Sequence, residues 1–125
     1  MLDTSVAIPL RESDADILGR VAALGGDLMI SAVTRVELEN GVYRDPALAA
    51  HRRALLDLML QSVLVAPFDD QCAAIFGGIA ATLGWSRSKT IDRMIAACAI
   101  ANDATLVTLN GRDFRGVVGL RLVEW

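Results

Sequence analysis

The chain has 125 residues, a hydrophobic content of 54% and a net charge of −3 at pH 7. This length suits a single domain over residues 1–125 with one sizeable core, and it is too short for two domains. No apolar run approaches the roughly 20 residues that span a bilayer, and no signal peptide is recognisable, so we expect a cytoplasmic protein without a membrane partner. An acidic chain is also poorly suited to nucleic acid unless a local basic patch or bound cations receive the phosphates.

Short apolar runs bounded by turn-forming residues alternate with segments of helical periodicity. The runs suit buried strands at Met1–Leu2, Leu28–Ile30, Val63–Val65, Leu106–Val107 and Leu120–Val123. Helices are predicted at Ala15–Leu24, from a cap at Ser31 to about Asn40 with Gly41 as the stop, at about Pro46–Leu60, along the stripe from Cys72 to Leu83, and around Ile91–Cys98 after a cap at Thr90. This alternation predicts an α/β fold in which helices cover both faces of a parallel sheet. Right-handed crossovers then place the carboxyl ends of the strands at one edge.

Two aspartates directly follow predicted strands. Asp3 comes after the first apolar run, where it either lies at the mouth of the sheet or caps the next helix. Asp113 ends the loop that follows Leu106–Val107. The Asn-Gly pair in that loop is typical of an ordinary turn, but the loop leaves the same sheet edge as Asp3. We expect Phe114 to anchor this loop and to fix Asp113 and Asn110 in place.

Two further acids lie in predicted helices. Glu37 has no cation three or four residues away, whereas Glu39 faces Arg35 at a spacing that favours an ion pair. From the residues alone, a plain surface glutamate remains the favoured interpretation of Glu37. Asp92 lies in the first turn of its helix, where the helix dipole favours an acid. The face of Asp92 continues through two alanines, which suit a helix packed tightly on another element, so a role at the rim of that contact is equally favoured.

Several carboxylates held together in an apolar protein repel one another and need protons or cations. Oxygen ligands of this kind select Mg²⁺ or Mn²⁺ rather than zinc. No competing site is visible in the sequence: His51 is predicted to lie on the surface, and Cys72 and Cys98 are predicted to be buried free thiols rather than a disulfide or metal ligands. The Gly77-Gly78 pair is predicted to permit close internal packing of its helix.

The motifs, taken in order, resemble a PIN-domain ribonuclease of the VapC type, the toxin of bacterial and archaeal toxin–antitoxin pairs. The resemblance covers essentially the whole chain, although the segment before Asp3 is shorter than the family pattern. It rests on Leu2-Asp3-Thr4-Ser5, on Ile30–Leu38 with Glu37, on Asp92 with Ile95–Ala99, on Leu106–Phe114, and on Glu124-Trp125 at the end.

This resemblance implies a PIN-like, five-stranded parallel sheet between helices, and a homodimer. It also implies cleavage of RNA with Mg²⁺ or Mn²⁺, neutralised by a cognate VapB-like antitoxin whose peptide tail covers the site. The implied catalytic acids are Asp3, Glu37, Asp92 and Asp113, with Thr4, Thr108 and Asn110 as polar supports. We expect Asp3, with Asp92 or Asp113, to bind metal directly and Glu37 to act partly through water, leaving 5′-phosphate and 3′-hydroxyl ends.

Basic residues cluster beside two of these acids. They are either solvated surface charges or a local track for RNA phosphates with a strong salt dependence. The candidate phosphate contacts are Arg87, Lys89 and Arg93 around Asp92, and Arg112 beside Asp113, with Arg115 on its other side.

Two other classes of protein share parts of this pattern. A phosphoacceptor receiver-type switch needs paired acids after its first strand and a lysine after a later strand. Here the first acid is single, and Lys89 precedes a helix instead. A catalytically silent PIN fold used only for binding is disfavoured because all the acids of the motifs are present.

Overall fold

The computed structural model describes residues 1–125, in which helices and strands alternate as an α/β chain. The helices are α1 (Thr4–Arg11), α2 (Ala15–Ala22), α3 (Ala32–Tyr43), α4 (Ala49–Met59), α5 (Asp70–Leu83) and α6 (Thr90–Ala101). The strands are β1 (Met29–Ser31), β2 (Leu64–Ala66), β3 (Thr105–Thr108) and β4 (Arg121–Glu124), and 3-10 turns lie at Arg87–Lys89 and Gly111–Phe114. None of these helices has the length and apolar character needed to cross a membrane.

The strands form two parallel pairs, β1 with β2 and β3 with β4. Leu2 makes an isolated parallel bridge to Ile30 in β1 and another to Val107 in β3. The predicted α/β class is confirmed, but the expected five-stranded sheet is confirmed only in part, because a single bridging residue stands where a first strand was expected. The physical reason is that Asp3 already caps α1, so the chain turns into a helix directly after Leu2.

Two apolar clusters form the core, and the sheet residues alternate between them. Leu106 packs in a cluster with residues of α5 and α6, whereas the next residue, Val107, packs in a cluster with residues of α1, α2, α3 and α4. Met1 and Leu2 divide between the same two clusters. Because successive side chains of an extended segment point to opposite faces, helices cover both faces of the parallel strands, as predicted.

Capping explains where α3 begins, but α3 does not end where expected. Ser31 Oγ accepts the backbone N–H of Thr34 at 2.9 Å, which confirms the predicted cap. The predicted stop at Gly41 is wrong, since α3 continues to Tyr43. A Cβ on Gly41 would make ordinary contact, at 3.4 Å, with the guanidinium of Arg11, so Gly41 lies inside the helix beside α1 and does not end it.

Three other local predictions are also wrong. Thr90 does not cap α6, since its hydroxyl donates to the Ser86 carbonyl. The helix expected from Pro46 begins at Ala49. Gly77 and Gly78 are exposed and have no atom within 4 Å of their Cβ positions, so they do not permit internal packing. Helix α1 follows from none of the patterns, because Pro9 lies inside it and proline disfavours a helix interior.

Candidate active site

The four predicted acids are supplied by four separate parts of the chain. Asp3 is the N-cap of α1, Glu37 lies within α3, Asp92 is in the first turn of α6, and Asp113 is in the 3-10 turn that follows β3. Asp3 is only 6% exposed, and the other three are half-buried. The packing of these elements therefore determines whether the acids meet.

Three of the acids lie close enough to the fourth, Asp92, to affect its pKa. Burial raises the pKa of the Asp92 carboxyl, and the negative charges of Asp113, Asp3 and Glu37 raise it further, while the Lys89 ammonium opposes them. The net direction is upward even though the N-terminus of a helix favours an ionised acid. The structure thus brings all four acids into one electrostatic neighbourhood, which we call the acid cluster.

Hydroxyl groups hold Asp3 at the carboxyl ends of the strands. Asp3 Oδ2 accepts hydrogen bonds from Ser5 Oγ at 2.6 Å and from Thr108 Oγ1 at 2.8 Å. The Ser5 backbone N–H also points to this oxygen, at 3.4 Å, so Asp3 caps α1 while it lies in the acid cluster. Ser5 is a contact that the sequence interpretation missed, although the Asp-x-Ser spacing at a helix start is a recognisable capping signal.

Glu37, on α3, is held by a hydrogen bond from α1. Glu37 Oε2 accepts the Thr4 hydroxyl at 2.5 Å, a contact between the first residue of α1 and the middle of α3. Thr4, Thr108 and Asn110 were the expected polar supports, and each contacts a different acid.

Asp113 is the one acid of the four that forms an ion pair. Its carboxylate accepts from the ammonium of Lys89 and from the side-chain amide of Asn110. The turn that carries it is anchored by buried Phe114, as predicted. It is anchored again by Glu124, whose Oε1 accepts the Gly111 N–H at 3.1 Å, and this carboxylate occupies the space that a Cβ on Gly111 would need.

The basic residues divide into two groups. Arg87 and Arg112 are exposed, with Arg112 Nε donating to the Asn110 side chain at 2.9 Å, and Lys89 lies on Asp113. Arg93 corrects the predicted phosphate track, because it is only 8% exposed and its guanidinium donates to the Gly84 carbonyl. Arg93 is the fourth residue of α6, and its side chain is directed toward the end of α5 rather than toward solvent.

The histidine and the two cysteines lie as predicted, on the surface and in the core. His51 is exposed, and Cys72 and Cys98 are buried free thiols whose sulfurs lie 3.5 Å apart. Burial and the neighbouring thiol raise the pKa of Cys98 to about 12, so this thiol remains protonated and inert.

A hard cation fits the acid cluster in charge and in donor chemistry. The donors are carboxylate oxygens, which Mg²⁺ and Mn²⁺ prefer, and the Lys89 ammonium already lies among them. No three acidic, histidine or cysteine side chains are arranged to hold a metal ion in this conformation. These observations agree, because charge repulsion extends much further than a metal–oxygen bond of about 2.1 Å.

The largest cavity of the molecule lies elsewhere. It is an open groove of about 550 Å³ between the α1–α2 region and α4, lined mainly by apolar side chains such as Leu18, Leu58 and Val63. None of the four acids lines it. The candidate active site is therefore the acid cluster and not this groove.

The sequence and the fold both have known counterparts. The chain matches the sequence model of the PIN domain over residues 1–120. The chain therefore belongs to the PIN-domain family, as its motifs indicated.

Its relatives are of the VapC type. The chain is 30% identical over 128 residues to the tRNA(fMet)-specific endonuclease VapC of Shigella flexneri, covering 100% of this chain and 96% of that protein. It is also 30% identical over 129 residues to Ribonuclease VapC2 of Haemophilus influenzae, with the same coverage. Among solved structures, VapBC2 of Rickettsia felis bound to a promoter DNA fragment superimposes with a TM-score of 0.89 at 25% identity, covering 100% of this chain and 97% of that one. DNA-bound VapBC of Salmonella typhimurium superimposes with a TM-score of 0.85 at 29% identity, covering 100% and 96%.

Proposed function

We propose that this chain is a divalent-metal-dependent endoribonuclease that acts as the toxin of a toxin–antitoxin pair. The observation that supports the proposal is that Thr4 and Thr108 join the elements carrying Glu37 and Asp3, while Asp113, Asp3 and Glu37 lie near enough to Asp92 for their charges to raise its pKa, after burial. The full-length similarity to proteins named VapC ribonucleases supports the same activity. A receiver-type switch does not account for the full-length similarity to proteins named ribonucleases, and a silent binding fold gives no role to a complete set of four acids.

Asp3, Asp92 and Asp113 are the proposed ligands of Mg²⁺ or Mn²⁺. Both hydrogen bonds from hydroxyls to Asp3 end on Oδ2, which leaves Oδ1 without a protein donor and available to a cation. The Lys89 ammonium neutralises Asp113 in the absence of a cation, and it must leave this carboxylate, at least in part, when a cation takes its place. The cation would supply positive charge to the phosphate and make a bound water a better nucleophile.

The chain's own residues position the reaction. Glu37, fixed by the Thr4 hydroxyl, is proposed to orient the attacking water and accept its proton. Arg87, Lys89 and Arg112 are proposed to hold RNA phosphates, and the displaced Lys89 ammonium is the nearest of them to the acids. Attack by water on phosphorus with departure of the 3′ oxygen leaves a 5′-phosphate and a 3′-hydroxyl, and no 2′,3′-cyclic phosphate forms because the ribose 2′-hydroxyl takes no part.

The partners follow from the relatives. The solved neighbours are VapBC toxin–antitoxin complexes, so we infer a VapB-like antitoxin as the protein that neutralises this chain. A homodimer is proposed from the family resemblance, and sedimentation of the isolated chain tests it.

The proposed function is tested with purified wild type and Asp3→Asn, a change that retains the helix cap but removes the charge. We expect wild type to cleave single-stranded RNA with Mg²⁺, to lose activity in EDTA and to regain it with Mn²⁺, whereas Asp3→Asn is inactive. Asp27→Asn is the matched control, since Asp27 is exposed and precedes β1 at the opposite sheet edge. Undiminished cleavage in EDTA, or 2′,3′-cyclic phosphate products, would contradict the proposal.

A further inference from the structure

Trp85 is the most exposed aromatic side chain of the molecule. It lies in the short segment between the end of α5 and the 3-10 turn Arg87–Lys89, and 72% of the residue is exposed. An indole ring carries a large apolar surface, so its exposure is unfavourable in the isolated chain. The core does not use Trp85, and neither does the mechanism proposed above.

Hydrogen bonds hold the backbone on both sides of Trp85. The buried guanidinium of Arg93 donates to the carbonyl of Gly84, and the Thr90 hydroxyl donates to the carbonyl of Ser86 at 3.0 Å. Both donors belong to the first turn of α6, next to Asp92. The fold therefore places a buried arginine and a helix-start threonine where they fix the backbone that presents an exposed indole.

The same short segment leads directly to the acid cluster. The backbone N–H of Lys89 donates to the Ser86 carbonyl at 3.3 Å, which closes a single turn, and the Lys89 ammonium lies on Asp113. Arg87 is exposed within that turn. An aromatic ring and two cations thus precede one of the acids within a few residues.

This combination is the chemistry that binds single-stranded nucleic acid. Aromatic rings stack on unpaired bases whatever their sequence, and cations hold the adjoining phosphates. The two cations beside the indole favour RNA as the partner, because each unpaired base of RNA adjoins a phosphate.

We propose that Trp85 stacks on an unpaired nucleobase of the RNA beside the phosphate at the acid cluster. The inference rests on the proposed function and deepens it, because it assigns to Trp85 the recognition of a base next to the phosphate at the acid cluster. Arg93 and Thr90 act as positioning residues for Trp85, not as phosphate contacts.

The test compares two strands that differ only in their bases. The probes are a mixed-sequence single-stranded RNA of about 12 nucleotides and a strand of the same length and charge that lacks bases. Binding is measured in EDTA on the Asp3→Asn background, so that neither strand is cut. We expect Trp85→Ala to weaken binding of the RNA by about 5- to 100-fold and to leave binding of the base-free strand unchanged.

Control variants separate stacking from charge and from general loss of aromatic surface. Trp85→Phe should retain most of the affinity, and Arg87→Ala should weaken binding of both strands, because Arg87 is exposed and is not paired with an acid. Tyr43→Ala, which removes an aromatic residue with 65% exposure at the far end of α3, should change neither. If Trp85→Ala does not fold, the Trp125→Phe protein tests the same contact, since RNA but not the base-free strand should quench the fluorescence of its remaining tryptophan.

Three results would overturn the proposal: unchanged RNA affinity in Trp85→Ala, equal weakening for both strands, or a changed sedimentation coefficient that makes Trp85 a contact between proteins. The proposed function fails separately. If RNA binding depends on Trp85 but wild type does not cleave RNA, the nuclease proposal is contradicted and the stacking proposal is retained. If wild type cleaves RNA but Trp85→Ala binds RNA with unchanged affinity, the stacking proposal is contradicted and the nuclease proposal is retained.

Discussion

Glu37 and Glu39 lie two residues apart on α3 but in opposite electrostatic surroundings. Glu39 accepts hydrogen bonds from Arg35 at 2.6 Å and from Arg53 of α4 at 2.5 Å. The hydrogen bond from Arg35 is the main reason why the pKa of Glu39 is lowered, and Arg53 adds to it. Glu37 has no cation beside it and receives the Thr4 hydroxyl, while its charge helps to raise the pKa of Asp92.

The contrast extends from these two residues to their neighbourhoods. Between α3 and α4, arginines and acids alternate, and Arg53 bridges Glu39 to Asp57. In the acid cluster, four carboxylates share the single Lys89 ammonium. Like charges brought together oppose folding, whereas the paired acids are neutral or slightly favourable. The α3–α4 pairs are explained by the fold alone, and the acid cluster requires a ligand or a reaction to explain it.

The largest expected effect is a difference in RNA cleavage between substitutions of Glu37 and of Glu39. Glu37→Gln removes a charge from the acid cluster without changing the shape of the side chain, and we expect RNA cleavage to fall by more than about 100-fold, since even outer-shell partners of metal sites contribute about 10- to 100-fold. Glu39→Gln should retain nearly full activity and instead lose stability, by about 1 kcal/mol for two partly exposed ion pairs. Equal activity of the two variants in a cleavage assay would remove the functional distinction between them.

Local sequence rules predict the α3–α4 ion pairs better than they predict the acid cluster. The pairing of Arg35 with Glu39 follows from their spacing on a helix, and the structure confirms it. Strand positions, the Ser31 cap and the anchoring by Phe114 follow from similarly local patterns. Each of these predictions needs only residues that are neighbours in the chain.

The acid cluster depends on contacts between residues that are distant in the sequence. Thr4 meets Glu37 across 33 positions, and Thr108 meets Asp3 across 105, so no periodicity reveals either bond. The motif resemblance named these residues without showing which would touch. Arg93 illustrates the opposite error, because proximity to Asp92 in sequence suggested a phosphate contact, whereas its helical position turns it to the Gly84 carbonyl.

The two neighbourhoods also differ in their hydrogen-bond donors: arginines donate to Glu39, whereas hydroxyl groups donate to Asp3 and Glu37. Removal of one hydroxyl group tests whether this difference matters for activity. The Thr108 hydroxyl donates to Asp3 and accepts the Asn110 N–H at 3.0 Å. Thr108→Val should reduce cleavage by about 10- to 100-fold by misplacing both residues. It should also lower the free energy of unfolding by about 1–3 kcal/mol, because a buried oxygen and an N–H lose their partner.

Thr82→Val is the control for this change. Thr82 is exposed on α5, and its hydroxyl bonds only to the Gly78 carbonyl of its own helix. Its substitution should leave cleavage unchanged. If Thr108→Val lost stability but retained wild-type cleavage rates at a temperature where it is folded, the hydroxyl would be a structural contact only.

The smallest expected effect is on stability, and its sign differs between the two neighbourhoods. The lowered pKa of Glu39 means that its contribution to stability is present above the unfolded pKa and is lost as the pH falls through the folded value. Glu39→Gln should therefore be less stable than wild type at pH 7 and should approach wild type at acidic pH. Chemical denaturation across this pH range measures the difference.

Asp92 should behave in the opposite way, because its pKa is raised by burial first and by the other acids second. Stability associated with its protonated form is present below the unfolded pKa of about 3.9 and is lost as the pH rises through the folded pKa. In EDTA, Asp92→Asn should therefore be more stable than wild type at pH 7, with a difference that shrinks toward pH 4. Mg²⁺ should then stabilise wild type but not the variant, because a ligand stabilises only the protein that binds it. A destabilised Asp92→Asn protein at pH 7 would mean that the helix dipole, and not repulsion among the acids, dominates at this position.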